Sequence, residues 1–316
     1  MNEPMKIMIA YDGSAYADAA LEDLRRAGLP READALIVTV SDGLLNTSSP
    51  IAEDIGISLG AHRVRSAIAV AKDQAVRLLA EARALASQAG LRVASYFPEW
   101  EVNTRVLEGL PSRELLQTAE QWQPDLIVVG SQGRSALGRF LLGSVSKKLA
   151  TAARSSVRVV RRTIATDHDV PPRVMIGVDG SIGAERAVRA VGSRVWSEGT
   201  EVRIVAVDDS VSPRMIAGIL PTAAHMIRSS NEDAMRKARE MAQWAADELR
   251  AIGLKVSVAI KNGDPQRVLL EESAKWNAES VFVGSRGLNQ PDKKSGLGTV
   301  ATGLVMNATS TVEIVR

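Results

Sequence analysis

An internal duplication constrains this chain more than any other feature. Ile7-Met8-Ile9-Ala10-Tyr11-Asp12-Gly13-Ser14 realigns on Val174-Met175-Ile176-Gly177-Val178-Asp179-Gly180-Ser181, an offset of 167 (174 − 7). Ile37-Val38-Thr39-Val40 meets Ile204-Val205-Ala206-Val207 at the same offset. Further on the offset is 154 (263 − 109), which pairs Gly109 with Gly263, Pro111 with Pro265, Trp122 with Trp276 and Gly130 with Gly284. The first copy therefore carries 13 extra residues (167 − 154) between Val40 and Gly109. Beyond the glycine-rich stretch the offset is 155 (298 − 143), taking Gly143 to Gly298 and Arg161 to Arg316. Two tandem copies of one unit are expected, and the 316 residues are enough for each to form an ordinary domain.

Within each copy, strand-like and helix-like patterns alternate. In the first, short apolar runs predict strands near 5–11, 35–40, either 91–96 or 102–107, 125–130 and 157–161. Amphipathic stretches predict helices near 15–27, 66–89, 112–121 and 144–153. Such alternation implies an α/β fold: two tandem doubly wound domains, each a five-stranded, mostly parallel sheet with helices on both faces. The expected division is a first domain over 1–162, a polar, Pro-ended linker over 163–172 and a second domain over 173–316. Ligands of open α/β sheets lie at the carboxyl ends of strands. Asp12, Val40 and Gly130 fall at such ends in the first copy, and Asp179, Val207 and Gly284 in the second.

The stretch from Gly130 to Ser146, GSQGRSALGRFLLGSVS, follows the apolar run Asp125-Leu126-Ile127-Val128-Val129 and leads into a helix-like segment for which Ser144 is the expected N-cap. A strand, a glycine-rich loop and a helix N-terminus in that order present backbone N–H groups and a positive dipole end to an anion. Gly130 and Gly133 serve either a tight turn or the close approach of a phosphate. The lysine of a Walker motif is absent, and so is a complete G-x-G-x-x-G. A bound phosphate would be held by backbone amides around Gly143, Ser144, Val145 and Ser146 and by the hydroxyls of Ser144 and Ser146, helped by Arg134 or Arg139. Asp12 and Asp179 lie in matched D-G-S turns, where an Asx-turn or helix cap is the plainer reading.

The loop spacing, glycine, two residues, glycine, nine residues, then glycine and Ser or Thr, resembles the ATP-binding signature of universal stress proteins. That resemblance extends over nearly the whole chain. It implies that Asp12 and Asp179 contact the nucleoside and that the backbone at Val40 and Val207 borders adenine. It implies ATP or a related adenine nucleotide as a regulatory ligand, with or without Mg2+. It also implies a homodimer through edge strands, or tandem copies imitating one, with Val157-Arg158-Val159-Val160 and Val312-Glu313-Ile314-Val315 as the edges. The second loop departs from the pattern. It keeps Gly284, Gly287, Gly298 and Thr299 but has ten residues between the second and third glycines, Pro291 and Asp292 among them. Weaker phosphate binding is expected there.

Composition narrows the function further. There is no run of about 18 apolar residues, so no membrane span is expected. The first residues enter a strand-like run with no signal-peptide pattern, and the chain has no cysteine; a cytoplasmic protein is the expectation. A net charge of +2 and 3% aromatic residues argue against nucleic acid as a partner. His62, His168 and His225 form neither a metal-ligand spacing nor a triad, so at most a very slow ATPase is expected. Segments 41–65 and 208–230 follow the second strand of each copy and are read as lids, dimer contacts or loops. The alternative to a nucleotide binder is an interaction protein whose crevices hold no nucleotide or a different, lipid-like or other small ligand.

Overall fold

A computed structural model describes residues 3–41, 61–133, 142–161, 170–209, 221–287 and 296–316, with backbone only for 61–69, 71, 221–232 and 234. In the first copy the order is β1 (Met5–Ala10), α1 (Ala15–Leu24), β2 (Ala33–Ser41), α2 (Ala61–Tyr96), β3 (Glu101–Glu108), α3 (Pro111–Trp122), β4 (Leu126–Gly130), α4 (Ser144–Ala152) and β5 (Ser156–Val160). The second copy repeats it as β6 (Arg173–Val178), α5 (Ile182–Gly192), β7 (Glu201–Asp208), α6 (Pro221–Ala251), β8 (Lys255–Asn262), α7 (Pro265–Lys275), β9 (Ser280–Gly284), α8 (Thr299–Asn307) and β10 (Thr311–Val315).

Local chemistry accounts for the boundaries. Ser14 and Ser181 cap α1 and α5, their hydroxyls accepting from the amides of Ala17 (3.2 Å) and Ala184 (3.1 Å). Pro111 and Pro265 open α3 and α7, where a missing N–H costs nothing. Gly109 and Gly263, just before those prolines, take φ of 139° and 133°, a turn that a side chain rarely permits.

The third strand is β3, within the second of the two segments the sequence allowed, because α2 runs on through 91–96. Gly90 sits inside this helix rather than ending it. A Cβ there would stand 2.9 Å from Thr104 Cγ2, so the glycine lets α2 lie close against β3. At 36 residues α2 is about 54 Å long. Of segments 41–65 and 208–230, residues 61–65 and 221–230 are the first turns of α2 and α6, Ser41 ends β2 and Asp208 ends β7. Residues 42–60 and 210–220 lie outside the described residues, as does most of the expected linker.

Each copy has strand order 3-2-1-4-5 with parallel neighbours, and the two sheets join into one of ten strands, β3-β2-β1-β4-β5-β10-β9-β6-β7-β8. The joint is the antiparallel pair of β5 and β10, centred on Arg158 opposite Glu313. The two expected edges are thus paired with each other inside the chain, and the open edges are β3 and β8. On one face Val157, Val159, Val312 and Ile314 belong to a single apolar core spanning both copies. On the other the cores remain separate. There the alternate residues of the seam, Arg158, Thr311 and Glu313, are polar and buried. Burial works against the Arg158 charge, but Asp23 and Glu313 outweigh it and hold the guanidinium above its usual pKa.

Candidate ligand-binding crevices

The strand order reverses between β1 and β4, and again between β6 and β9, which opens a crevice at the carboxyl ends of these strands. In the first crevice the Asp12 carboxylate accepts from the Ser14 amide through Oδ1 at 3.0 Å, an Asx-turn feeding α1. Its other oxygen faces the glycine loop: a Cβ on Gly133 would be 2.8 Å from Asp12 Oδ2. Gly130 is required for a different reason. A Cβ there would lie 2.6 Å from the Tyr16 carbonyl oxygen, where the start of α1 crosses the end of β4. Val40 is half-buried, the next-to-last residue of β2.

The loop closes onto the sheet by backbone bonds. The Ser131 amide donates to the Val160 carbonyl and the Gly143 amide to the Ser131 carbonyl, both at 2.7 Å. The N-cap of α4 is Gly143, not Ser144, which is the first residue of the helix. The first intrahelical bond runs from the Lys147 amide to the Gly143 carbonyl. The amides of Ser144, Val145 and Ser146 precede it and have no helical partner. The Ser146 hydroxyl, expected to hold a phosphate, instead donates to the Gly130 carbonyl at 2.7 Å and is buried, so it fastens the helix to the strand end. Arg134, Arg139, Pro291 and Asp292 lie outside the described residues, and so do His168 and the side chains of His62 and His225.

The second copy repeats this geometry. Asp179 accepts from the Ser181 amide at 3.0 Å, the Gly298 amide donates to the Ser285 carbonyl at 2.9 Å, and Gly298 caps α8. Asp179, Val207, Gly284, Gly287, Gly298 and Thr299 all line one cavity of about 470 Å³, a volume within the usual range for ligand pockets. The structure therefore gathers the six second-copy residues into one crevice despite the longer loop.

Four charged residues of that cavity escaped the sequence reading: Asp208, Asp209, Asp264 and Arg286. Asp264 reads as a helix cap and indeed accepts from the Arg267 amide at 2.8 Å, which masks its place on the crevice wall. The equivalents of Asp208, Asp264 and Arg286 in the first copy are Ser41 (208 − 167), Leu110 (264 − 154) and Gln132 (286 − 154), all uncharged. Comparison of the copies was the signal that could have exposed the difference.

Beside the first crevice the Tyr11 hydroxyl donates to Asp18 at 2.9 Å, and its pKa is raised to about 12, mainly by burial. It is a neutral group at ordinary pH. Among the described residues, no cluster of three or more His, Cys, Asp or Glu is placed to hold a metal ion, and no helix is long and apolar enough to cross a membrane.

Two doubly wound units, each setting a glycine loop and a helix N-terminus against an aspartate turn, define the class. The chain belongs to the universal stress protein family, whose model matches residues 4–161 and again 172–316. A universal stress protein of Mycolicibacterium smegmatis is 30% identical over 222 residues, 68% of this chain and 69% of its own length. Universal stress protein Rv2005c of Mycobacterium tuberculosis is 30% identical over 188 residues, 59% of this chain and 58% of the relative. Among solved structures, a universal stress protein from Archaeoglobus fulgidus superposes with a TM-score of 0.61 at 19% identity, covering 100% of this chain and 99% of the other. That likeness speaks to the fold.

Proposed function

We propose that this protein binds ATP or a related adenine nucleotide as a regulatory ligand, with the first crevice as the principal site. The observation that carries the reading is the meeting, at the ends of β1 and β4, of the Asp12 carboxylate, the Gly133 loop and the amides of Ser144, Val145 and Ser146, which have no helical partner. A carboxylate suits ribose hydroxyls, and helix-end amides suit phosphate oxygens. Val40 borders the base, Arg134 supplies a side-chain cation for the phosphates, and any Mg2+ enters as part of the nucleotide. In this reading the nucleotide is held rather than turned over, in keeping with a sequence that has neither a Walker lysine nor a catalytic triad motif.

The second crevice is the weaker triphosphate site in this reading. Among its described lining residues, Asp208 and Asp264, whose equivalents in the first copy are uncharged, add negative charge beside Arg286. Like charges repel polyphosphate, and the long loop adds to the mismatch. The first test is to denature purified protein and identify what is released by absorbance and mass spectrometry. Adenine nucleotide at close to one per chain supports the proposal. Nucleotide-free protein that also fails to bind ATP in calorimetry refutes it and favours an interaction protein with another small ligand.

A further inference from the structure

We propose that the seam between the two copies is charge-coded, so that the first copy's edge strand accepts the second copy's and rejects a duplicate of itself. Arg158 and Glu313 are the same position in the two copies, 155 residues apart (313 − 158), and they face each other at the centre of the β5–β10 ladder. Both are 1% exposed. Arg158 Nη1 donates to Glu313 at 3.0 Å and its Nε to Asp23 at 2.5 Å, while Arg194 donates to the other oxygen of Glu313. The result is a buried row of alternating sign, Asp23, Arg158, Glu313, Arg194, whose first two members belong to one copy and last two to the other.

A like pairing breaks the alternation at its centre. Two first copies joined through β5 would set Arg158 against Arg158, and two second copies would set Glu313 against Glu313. Like charges directly opposite in a ladder are unfavourable, and burial magnifies the effect. The contacts of Arg161 and Arg316 do not discriminate. Arg161 donates to the Val305 and Met306 carbonyls at the end of α8, and its equivalent Arg316 donates to the Ala150 and Ser155 carbonyls around the end of α4. Arg26, which pairs with Glu279 at 2.6 Å, would find Asp125 (279 − 154) in the same place when two first copies meet, whereas two second copies would set Ser193 (26 + 167) there instead. Among the described residues, the central row is where a like pairing sets like charge directly against like charge. The partner that fits this surface is the complementary half, not a second copy of the same half.

The test uses the full chain with a protease site inserted between Thr166 and Asp167. After cleavage the halves are parted in denaturant and returned to native buffer, and native mass spectrometry compares like with unlike pairs. Unlike pairs should exceed like pairs by about a hundredfold. In the variant Asp23→Asn/Arg158→Met/Arg194→Met/Glu313→Met, like pairs should rise at least about tenfold, since buried ion rows are replaceable by apolar groups. Glu313→Gln is the gentler second variant, keeping the shape and an acceptor oxygen. It should release like pairs of the second half and leave those of the first half scarce. A row that merely holds the seam together would lower the yield of every pair without altering the ratio. That result, or random assortment of the wild-type halves, overturns the proposal.

Discussion

Gly143→Glu separates the fold of the first crevice from its proposed function. Gly143 has φ −64° and ψ 152°, extended backbone that any residue adopts, so the substitution carries no dihedral strain. An added Cβ would stand 3.2 Å from the Ser131 carbonyl oxygen and 3.4 Å from Gln132 Cα, which asks the loop to give by a few tenths of an ångström. A carboxylate at a helix N-terminus is itself favourable by about 0.3–1 kcal/mol. The net change in stability should therefore stay within about 1 kcal/mol. Nucleotide binding should fall much further, because the new carboxylate takes the place of a phosphate at the Ser144 and Val145 amides. Losing two charge-assisted bonds at about 1.5 kcal/mol each weakens binding about a hundredfold. Calorimetry on the full chain with ATP, beside urea unfolding, measures both. Gly143→Ala serves as the companion, stable and weakened by less. A folded Gly143→Glu protein that binds ATP with unchanged affinity and stoichiometry would refute the reasoning.

Further outcomes are expected elsewhere. Gly130→Ala drives a Cβ to within 2.6 Å of the Tyr16 carbonyl and should cost about 1–3 kcal/mol in urea unfolding, with Gly284→Ala behaving alike against the Gly183 backbone at 2.5 Å; unchanged midpoints would contradict the close crossing. By contrast, a Cβ on Gly298 meets nothing nearer than 3.5 Å among the described residues, and Gly298→Ala should leave stability within about 0.5 kcal/mol. Phosphate release from ATP should stay well below about 1 per second, the low end of kinase turnover; a faster steady rate would make the protein an enzyme. Alkaline stability should reflect Tyr11, whose folded pKa of about 12 exceeds its ordinary 10.0. The unfolded chain loses that proton first, so the contribution is full below about pH 10 and is lost as pH rises toward 12. Unfolding followed by circular dichroism across that window should show a shallower decline in Tyr11→Phe than in the parent protein.

The repeat, the alternating pattern and the two glycine loops were legible in the sequence because each is set by local or periodic requirements. Parallel strands buried on both faces need continuous apolar runs, and close approach of backbone to backbone at Gly130 needs a missing side chain. Loop spacing and the D-G-S turns therefore led to the residues that the fold brings together. The third strand stayed ambiguous because Gly90 is equally a helix end or a small residue under a packed helix, and only Thr104 lying against it decides. Ser144 was misread as the cap because its one-residue neighbour Gly143 supplies the same extended geometry without a side chain. Asp208 and Asp264 looked like the end of a strand and the start of a helix, and they became crevice walls once three segments met. What tertiary structure alone decided is the union of the copies. Arg158 and Glu313 are the single charges of their strands, unexplained one at a time. Their meaning lies in the antiparallel register that sets each opposite the other, a relation between residues 155 apart that no local rule encodes.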